Sequence, residues 1–244
     1  MKNDALSFYR LVRDFLTVYL PKQRGASPNT AKSYKEALNL FIDYISMAQG
    51  RPLAEISFGC ISRHLVDNFL LWLETERKYS VSSRNQRISA VKSFLRFAAE
   101  KDKTLMPLYL DVEAVPKKKD TRAHVIGFFS EHALEAILAQ PNRSKKNGHR
   151  DLFFMILMYD TGARAQETLD LRLGDICLGG SSPFVILAGK GAKTRCVPIM
   201  EKTCSHLESY QRRFHATGNS DDYLFYVDRK GMRSQMSIDN VEKL

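Results

Sequence analysis

The chain has 244 residues, of which 44% are hydrophobic and 26% charged. This composition excludes global disorder and is typical of a globular protein with room for two modest domains. Lysine and arginine number 37 against 27 aspartates and glutamates, and residues 1–120 hold 20 of the basic and 13 of the acidic side chains. The basic balance indicates a polyanionic partner, with an inert basic surface as the alternative.

The first hundred residues predict four helices that close a small bundle. The first helix covers residues 6–19, and Ser27 and Pro28 provide the capping side chain and the first-turn proline of the second. Ser82 and Ser83 precede the last of the four. The apolar residues of the three later helices recur at helical spacing, at Tyr34, Leu38, Phe41 and Ile45, at Leu65, Phe69 and Leu73, and at Ile88, Val91, Leu95 and Ala98.

The last predicted helix of this group carries basic residues along one flank. Lys92 and Arg96 are four residues apart, and Arg84 and Arg87 lie near the start of the same stripe. A basic flank beside an apolar stripe can follow a DNA backbone, and it can also be a solvated helix face. Both interpretations stay open from the pattern alone.

Residues 101–122 lack helical periodicity and contain two prolines, which predicts an interdomain linker. We therefore expect a helical domain over 1–105, a linker over 106–122 and a second domain over 123–244. The linker contains three consecutive lysines placed to lie along a nucleic-acid backbone: Lys117, Lys118 and Lys119.

The second half predicts fewer helices and a little sheet. Ser130 is suited to cap a short helix, and residues 152–159 are apolar on every side, which predicts a buried central helix. Residues 185–187 and 196–199 predict the two strands of a hairpin, and 223–226 a short further strand. The expected fold is mainly α with a small antiparallel β-hairpin or sheet.

The segment 161–167, TGARAQE, places Arg164 just after a Thr-Gly turn, at the predicted start of a helix. A guanidinium offers two parallel donors that match the non-bridging oxygens of a phosphate. Glu167, three residues later, shares a face with Arg164 and can orient it. The alternative is a structural surface ion pair.

The segment 189–195, GKGAKTR, falls at the turn of the predicted hairpin, where its two glycines permit a sharp bend. Lys190 at the tip can enter a DNA groove and donate a proton to a leaving oxygen. Lys193 and Arg195 can contact nearby phosphates. An exposed basic turn is the alternative, and a P-loop is excluded because the spaced upstream glycine and the Ser or Thr after the lysine are missing.

Taken in order, the apolar helix, the two segments and the Val197-Pro198 that follows resemble the catalytic domain of tyrosine recombinases of the phage-integrase and Xer type. The helical half resembles their SAM-like core-binding domain. The resemblance implies that Arg164 is the first catalytic arginine, Lys190 the hairpin lysine and Glu167 the supporting acid. It also implies a 3′-phosphotyrosyl intermediate formed with neither metal nor cofactor. Ala163 is a small departure, since the family usually has a bulkier apolar residue there.

A larger departure is the second box of the family, H-x-x-R, and the nucleophilic tyrosine after it. None of the six histidines is followed by arginine three residues later, and Tyr223 and Tyr226 come too early to be the nucleophile. The resemblance thus implies a catalytic domain that is incomplete in this chain. We expect a DNA-binding recombinase fragment of a mobile element, inactive alone, with double-stranded DNA and other recombinase subunits as partners. The alternatives are a non-enzymatic protein that occupies recombination sites or modulates a full-length recombinase, and an enzyme that receives its tyrosine from another subunit.

Cysteine usage and hydropathy predict the compartment. The four cysteines form no C-x-x-C pair, and Cys196 and Cys204 have no histidine at metal-ligand spacing. The longest apolar run, 152–159, is too short to span a bilayer, and no signal peptide is recognisable at the start of the sequence. We therefore expect a cytoplasmic protein with reduced cysteines and neither metal nor membrane contact.

Overall fold

A computed structural model describes residues 2–120, 127–179, 182–189, 191 and 193–243. The chain divides into two compact units, Met1–His124 and Val125–Leu244. Helices dominate both units, and the sheets are small and antiparallel, so the predicted fold class is confirmed. Among the described residues, no helix combines the length and the apolar character needed to cross a membrane.

The first unit consists of helices packed around one aromatic-rich core. The core contains Phe8, Phe15, Phe41, Phe69 and Phe94, each almost fully buried. Large aromatic side chains bury much apolar area each, which allows a unit of this size to close a stable core. The helices are α1 (Lys2–Asp14), which continues as a wider π-helical stretch (Phe15–Gln23), α2 (Pro28–Gln49), α3 (Arg63–Thr75), α4 (Val81–Lys101) and α5 (Met106–Glu113).

The four predicted helices of this unit are all present, and their starts follow capping chemistry. Ser27 accepts a hydrogen bond from the Thr30 backbone N–H, with Pro28 in the first turn of α2. The cap of α4 is Ser80, which accepts from the Ser83 backbone N–H. The expectation that α4 begins after Ser83 was therefore wrong by about one turn, because a serine three residues earlier satisfies the free N–H groups.

The predicted linker, 106–122, contains a helix in its first part, α5. Residues 106–113 are helical, and Val112 and Val115 are buried in the first core. Pro107 lies in the first turn of the helix, where proline costs no hydrogen bond. Eight residues give only two turns, too few for a periodic apolar pattern to stand out in the sequence.

The second unit combines helices with two small sheets. Strands β1 (Ile176–Cys177), β2 (Phe184–Ala188) and β3 (Thr194–Pro198) form one antiparallel sheet in that order. Strands β4 (Tyr226–Arg229) and β5 (Met232–Gln235) form a separate two-stranded ribbon. The helices are α6 (Glu131–Leu138), α7 (Lys146–Thr161), α8 (Ala165–Asp170), α9 (Glu201–Phe214) and α10 (Ile238–Val241).

The predicted hairpin is confirmed as β2 and β3, in which Ile186 pairs with Cys196. Ser130 caps α6 as predicted, accepting from the Ala133 backbone N–H. The strand predicted over 223–226 begins only at Tyr226.

The central helix α7 presents one buried face to the second core. Phe153, Phe154 and Leu157 are at most 3% exposed and pack with Phe225 and other apolar side chains. Tyr159, however, is 60% exposed, so the expectation of burial on every side was wrong at the end of the helix. The helix is amphipathic there because its last turn reaches the surface of the unit.

Candidate functional site

Arg164 is placed by the end of α7. Gly162 adopts a left-handed conformation with φ of 59°, which ends α7 and reverses the chain. The Thr161 hydroxyl donates to the Leu157 carbonyl and accepts from the Ala163 backbone N–H, which fixes the turn. Arg164 then becomes the residue before the first turn of α8, with a side chain 74% exposed.

Glu167 is the centre of the site. Its side chain is only 6% exposed, and its carboxylate accepts from the Arg164 backbone N–H at 3.0 Å and from Arg164 Nη1 at 2.7 Å. Arg195, on β3, donates through both terminal nitrogens, at 3.2 Å and 2.7 Å. The carboxylate therefore holds two guanidinium groups from different elements, in a fork geometry with Arg195.

These donors stabilise the ionised form of Glu167. The hydrogen bonds from Arg195, followed by the one from the Arg164 backbone, hold the pKa of Glu167 at about 2, although desolvation acts in the opposite direction. The same contact raises the pKa of Arg195. Glu167 thus carries a full negative charge across the physiological pH range and accepts hydrogen bonds from both arginines.

Gly189 brings the end of β2 against this cluster. A Cβ at this position would lie 3.2 Å from Glu167 Oε1, tighter than an ordinary contact, so the absence of a side chain permits the approach. The Gly189 backbone N–H donates to the Lys193 carbonyl at 2.7 Å across the hairpin. The segments 161–167 and 189–195, separate in sequence, therefore meet at Glu167. The predicted residue Lys190 lies outside the described residues.

The arrangement leaves cationic donors facing solvent. Arg164 and Arg195 each use some of their N–H donors to bind the Glu167 carboxylate. Their side chains are 74% and 41% exposed, respectively. Lys193 is also exposed. Such a pair of oriented guanidinium groups can bind the non-bridging oxygens of a phosphate group. Arg195 was expected only as a phosphate contact. Its pairing with Glu167 was missed, because nothing in the sequence sets the register of β3 against α8.

Three basic residues of the first unit predicted to contact DNA are held by the protein itself. Arg84, with a side chain 13% exposed, forms an ion pair with Glu74 at 2.7 Å, and Lys118 pairs with the same carboxylate. Lys92 donates to the carbonyls of Glu113 and Val115, both at 2.6 Å. These contacts join α4 to α3 and to the chain after α5. The three side chains therefore bind other groups of the first unit, which their predicted role in DNA binding did not include.

Of the other predicted basic residues of this unit, Arg87 donates to the Ser33 carbonyl, and the remaining three are exposed. Arg96 is exposed and forms an ion pair with Glu100 on the same helix. The Arg87 guanidinium lies over the Tyr79 ring at 5.8 Å and is partly exposed. The remaining two are exposed to solvent: Lys117 and Lys119.

The side chains of Tyr223 and Tyr226 contact other groups of the protein. Tyr226 is buried, donates to the Phe214 carbonyl at 2.8 Å, and has a pKa raised by burial. Tyr223 lies beneath the Arg172 guanidinium, 4.5 Å from the ring centre, and its hydroxyl accepts from Arg172. Within the described part of the chain, no group of three or more His, Cys, Asp or Glu side chains could hold a metal ion.

Comparison with known proteins covers both units. Residues 13–102 match the family described as phage integrase, N-terminal SAM-like domain, and residues 128–244 match the phage integrase family. A protein of Sinorhizobium fredii named integrase/recombinase y4rC is 32% identical over 232 residues, covering 95% of this chain and 68% of the relative. The tyrosine recombinase XerD of Listeria monocytogenes is 28% identical over 200 residues, covering 82% of this chain and 63% of that protein.

Solved structures share the fold. The crystal structure of the XerH site-specific recombinase bound to palindromic difH substrate superimposes with a TM-score of 0.66 at 18% identity, over 96% of this chain and 72% of that one. The Tn1549 transposon integrase in complex with transposon right end DNA gives a TM-score of 0.60 at 14% identity, over 90% of this chain and 72% of that one.

Proposed function

Because the chain belongs to the phage integrase family of tyrosine recombinases, we propose that it binds duplex DNA as part of a site-specific recombinase that acts in DNA integration. The observation that carries the proposal is the Glu167 carboxylate holding Arg164 and Arg195 with their remaining donors exposed. A cluster of this kind fits one phosphodiester group of a DNA backbone. The place of action is the compartment that holds the DNA, in a bacterium the cytoplasm.

Each residue of the cluster has a proposed role at that phosphate. Arg164 donates to the non-bridging oxygens and stabilises the charge that builds on them during phosphoryl transfer. Glu167 is a positioning residue, since its contacts are with arginines and not with the phosphate. Lys190, the neighbour of Gly189 in the chain, protonates the 5′ oxygen as it leaves phosphorus.

The chemical step of the family is balanced without a metal. The tyrosine hydroxyl gives up its proton to solvent as its oxygen bonds to phosphorus, the bond from phosphorus to the 5′ oxygen breaks, and the leaving oxygen takes one proton from Lys190. The reverse attack by a 5′ hydroxyl rejoins the strand. We assign Arg164 to the phosphate and Lys190 to the leaving oxygen, and Glu167 positions Arg164.

Affinity for DNA should also come from the exposed basic residues of the first unit. Lys and Arg side chains that neutralise phosphates release condensed counterions, so binding weakens as salt rises. We assign this part to Arg87, Arg96, Lys117 and Lys119, whose side chains are at least partly exposed. Arg84 and Lys92 are assigned to internal contacts instead, and Lys118, although 53% exposed, pairs with Glu74.

A direct test compares two arginines of equal exposure. Arg164 and Arg212 each have a side chain 74% exposed, and each pairs with a glutamate on its own segment. Binding of a fluorescent 30-base-pair duplex is followed by anisotropy at several salt concentrations for the parent, Arg164→Ala and Arg212→Ala. We expect parent binding at low salt and a larger loss of affinity for Arg164→Ala than for Arg212→Ala.

The outcomes separate the two parts of the proposal. Parent protein that does not bind the duplex at low salt would overturn the DNA-binding function. Binding that is equal for Arg164→Ala and Arg212→Ala would leave DNA binding in place and remove Arg164 from the phosphate site.

A further inference from the structure

The ribbon of β4 and β5 is fixed at its base and exposed at its tip. Tyr226 donates to the Phe214 carbonyl, and Gln235 Nε2 donates to the Leu169 carbonyl at 3.0 Å, so both strands are anchored to helices. All residues from 228 to 234 are exposed. The tip of the ribbon, residues 228–234, is therefore exposed throughout, and hydrogen bonds to two helices hold its base.

The turn of the ribbon is tight and ordered. Lys230 and Gly231 both have positive φ, 55° and 82°, the conformation that matches the natural twist of a two-residue hairpin. The Gly231 backbone N–H donates to Asp228 Oδ1 at 3.0 Å. This contact uses the acidic side chain of the ribbon to hold the turn.

Successive side chains along a strand point to opposite faces of the ribbon, so its charged residues are divided between the two faces. Asp228 pairs across the strands with Arg233 on one face, and Arg229 pairs with Met232 on the other. The Arg233 guanidinium lies over the Tyr226 ring at 4.5 Å, so it is already in contact with the protein. The face of Arg229 and Met232 carries no acid, and Met232 is 74% exposed.

We propose that this face of the ribbon tip, with Lys230 at its turn, lies in a groove of the duplex DNA bound by the chain. The inference rests on the proposed function and adds a second contact to it. The major groove is wide enough to admit a two-stranded ribbon. Arg229 and Lys230 pair with the phosphates at the groove edge, and the Met232 side chain packs against base edges or sugars. An exposed apolar side chain opposite Arg229 and close to the turn that carries Lys230 fits this partner, because the duplex offers apolar base edges beside its rows of phosphates.

The test measures how binding depends on salt. The double variant Arg229→Gln/Lys230→Gln is compared with Lys202→Gln/Arg212→Gln, which removes the same charge from exposed positions on α9. Anisotropy of a fluorescent duplex gives Kd at several salt concentrations for each full chain. Loss of two phosphate contacts should make the slope of log K against log salt shallower by about 2, since each contact contributes about 0.9. The α9 variant should keep the parent slope.

A third variant, Met232→Ala, tests the apolar contact. It should raise Kd by about 5-fold with an unchanged salt slope, as expected when a partly buried side chain of this size is shortened. Circular dichroism melts confirm that each variant is folded, which is expected because all the substituted side chains are exposed.

Several results would overturn the inference. Equal slopes for the ribbon and α9 variants, in a parent that binds DNA, would show that the ribbon does not contact phosphates while leaving the proposed function in place. An unchanged Kd for Met232→Ala would remove this face from the groove. A parent that does not bind duplex DNA would overturn the proposed function and the ribbon contact together.

Discussion

The Glu167 carboxylate accepts hydrogen bonds from two guanidinium groups and one backbone N–H, all of which favour its ionised form. It is nearly buried, so water replaces few of these contacts. Removal of the charge would leave Arg195 without its fork partner and would free Arg164 to adopt other rotamers. The residue therefore links the stability of the unit to the geometry of the proposed phosphate site.

Substitution of Glu167 by Gln should lower the free energy of unfolding by about 2 kcal/mol at neutral pH, the range for hydrogen bonds to charged groups. A carboxyl with a depressed pKa stabilises the fold above its unfolded value of 4.5, and this contribution is lost as pH falls toward about 2. Urea unfolding of the parent and Glu167→Gln should therefore differ most above pH 5 and converge near pH 2.

The control for this prediction is Glu208→Gln. Glu208 is 59% exposed and lies 4.0 Å from its arginine, so its removal should change stability by no more than about 0.5 kcal/mol. A difference between parent and Glu167→Gln that stays constant from pH 2 to pH 6 would contradict the assignment of a depressed pKa to Glu167.

Part of this cluster could be predicted from the sequence and part could not. Arg164 and Glu167 are three residues apart at the start of a helix, so helical geometry alone brings them together. Arg195 reaches Glu167 only because β3 pairs with β2 in one register and the sheet packs near α8. A shift of one residue in that register would turn Arg195 to the other face, and no local pattern specifies this choice.

At the scale of elements, α4 and α5 show how a charged side chain can be mistaken for a binding residue. Lys92 lies on the flank of α4, where the sequence allows either a DNA contact or a solvated face. Its ammonium instead donates to the Glu113 and Val115 carbonyls at the end of α5. These carbonyls have no further turn of helix to satisfy them, so a cation there stabilises the helix end.

Lys92→Met should therefore reduce stability without altering DNA binding. The variant keeps the aliphatic stem and loses two charge-assisted hydrogen bonds, which should cost about 1–3 kcal/mol in urea unfolding. The matched control is Lys35→Met on α2, whose side chain is exposed and which should unfold like the parent. A Lys92→Met chain of parent stability but weaker, less salt-dependent duplex binding would return Lys92 to the DNA surface.

The whole molecule carries a net charge of +10, and seven of those charges arise in residues 1–120. The excess was visible in the sequence, but its division between internal and exposed contacts was not. Glu74 pairs with both Arg84 and Lys118, and the Arg84 side chain is only 13% exposed, so the count of basic residues overstates the number of cations available to DNA. Composition thus predicts the class of partner, whereas the side-chain contacts decide which cations are free to meet it.

A polypeptide of these 244 residues should form no covalent adduct with DNA through Tyr223 or Tyr226. In the family, the nucleophilic tyrosine follows an H-x-x-R box, which this sequence does not contain. The two tyrosines that come before the expected position, Tyr223 and Tyr226, contact other groups of the protein. Tyr226 is buried and bonded to the Phe214 carbonyl, and Tyr223 is covered by Arg172. With these two hydroxyls held by other groups, charge stabilisation by Arg164 cannot by itself break the phosphodiester.

A pool of nicked duplexes of randomised sequence would trap any phosphotyrosyl product, because the short strand released from the nick diffuses away and cannot rejoin. After denaturation, protein-bound DNA is recovered and sequenced for the parent and for Tyr223→Phe/Tyr226→Phe. We expect both to recover the same background, since the Tyr226 hydroxyl is bonded to the Phe214 carbonyl and the Tyr223 hydroxyl to Arg172. Enrichment of particular sequences by the parent alone would identify one of these tyrosines as a nucleophile and would require the ring contacts of Tyr223 or Tyr226 to open on DNA.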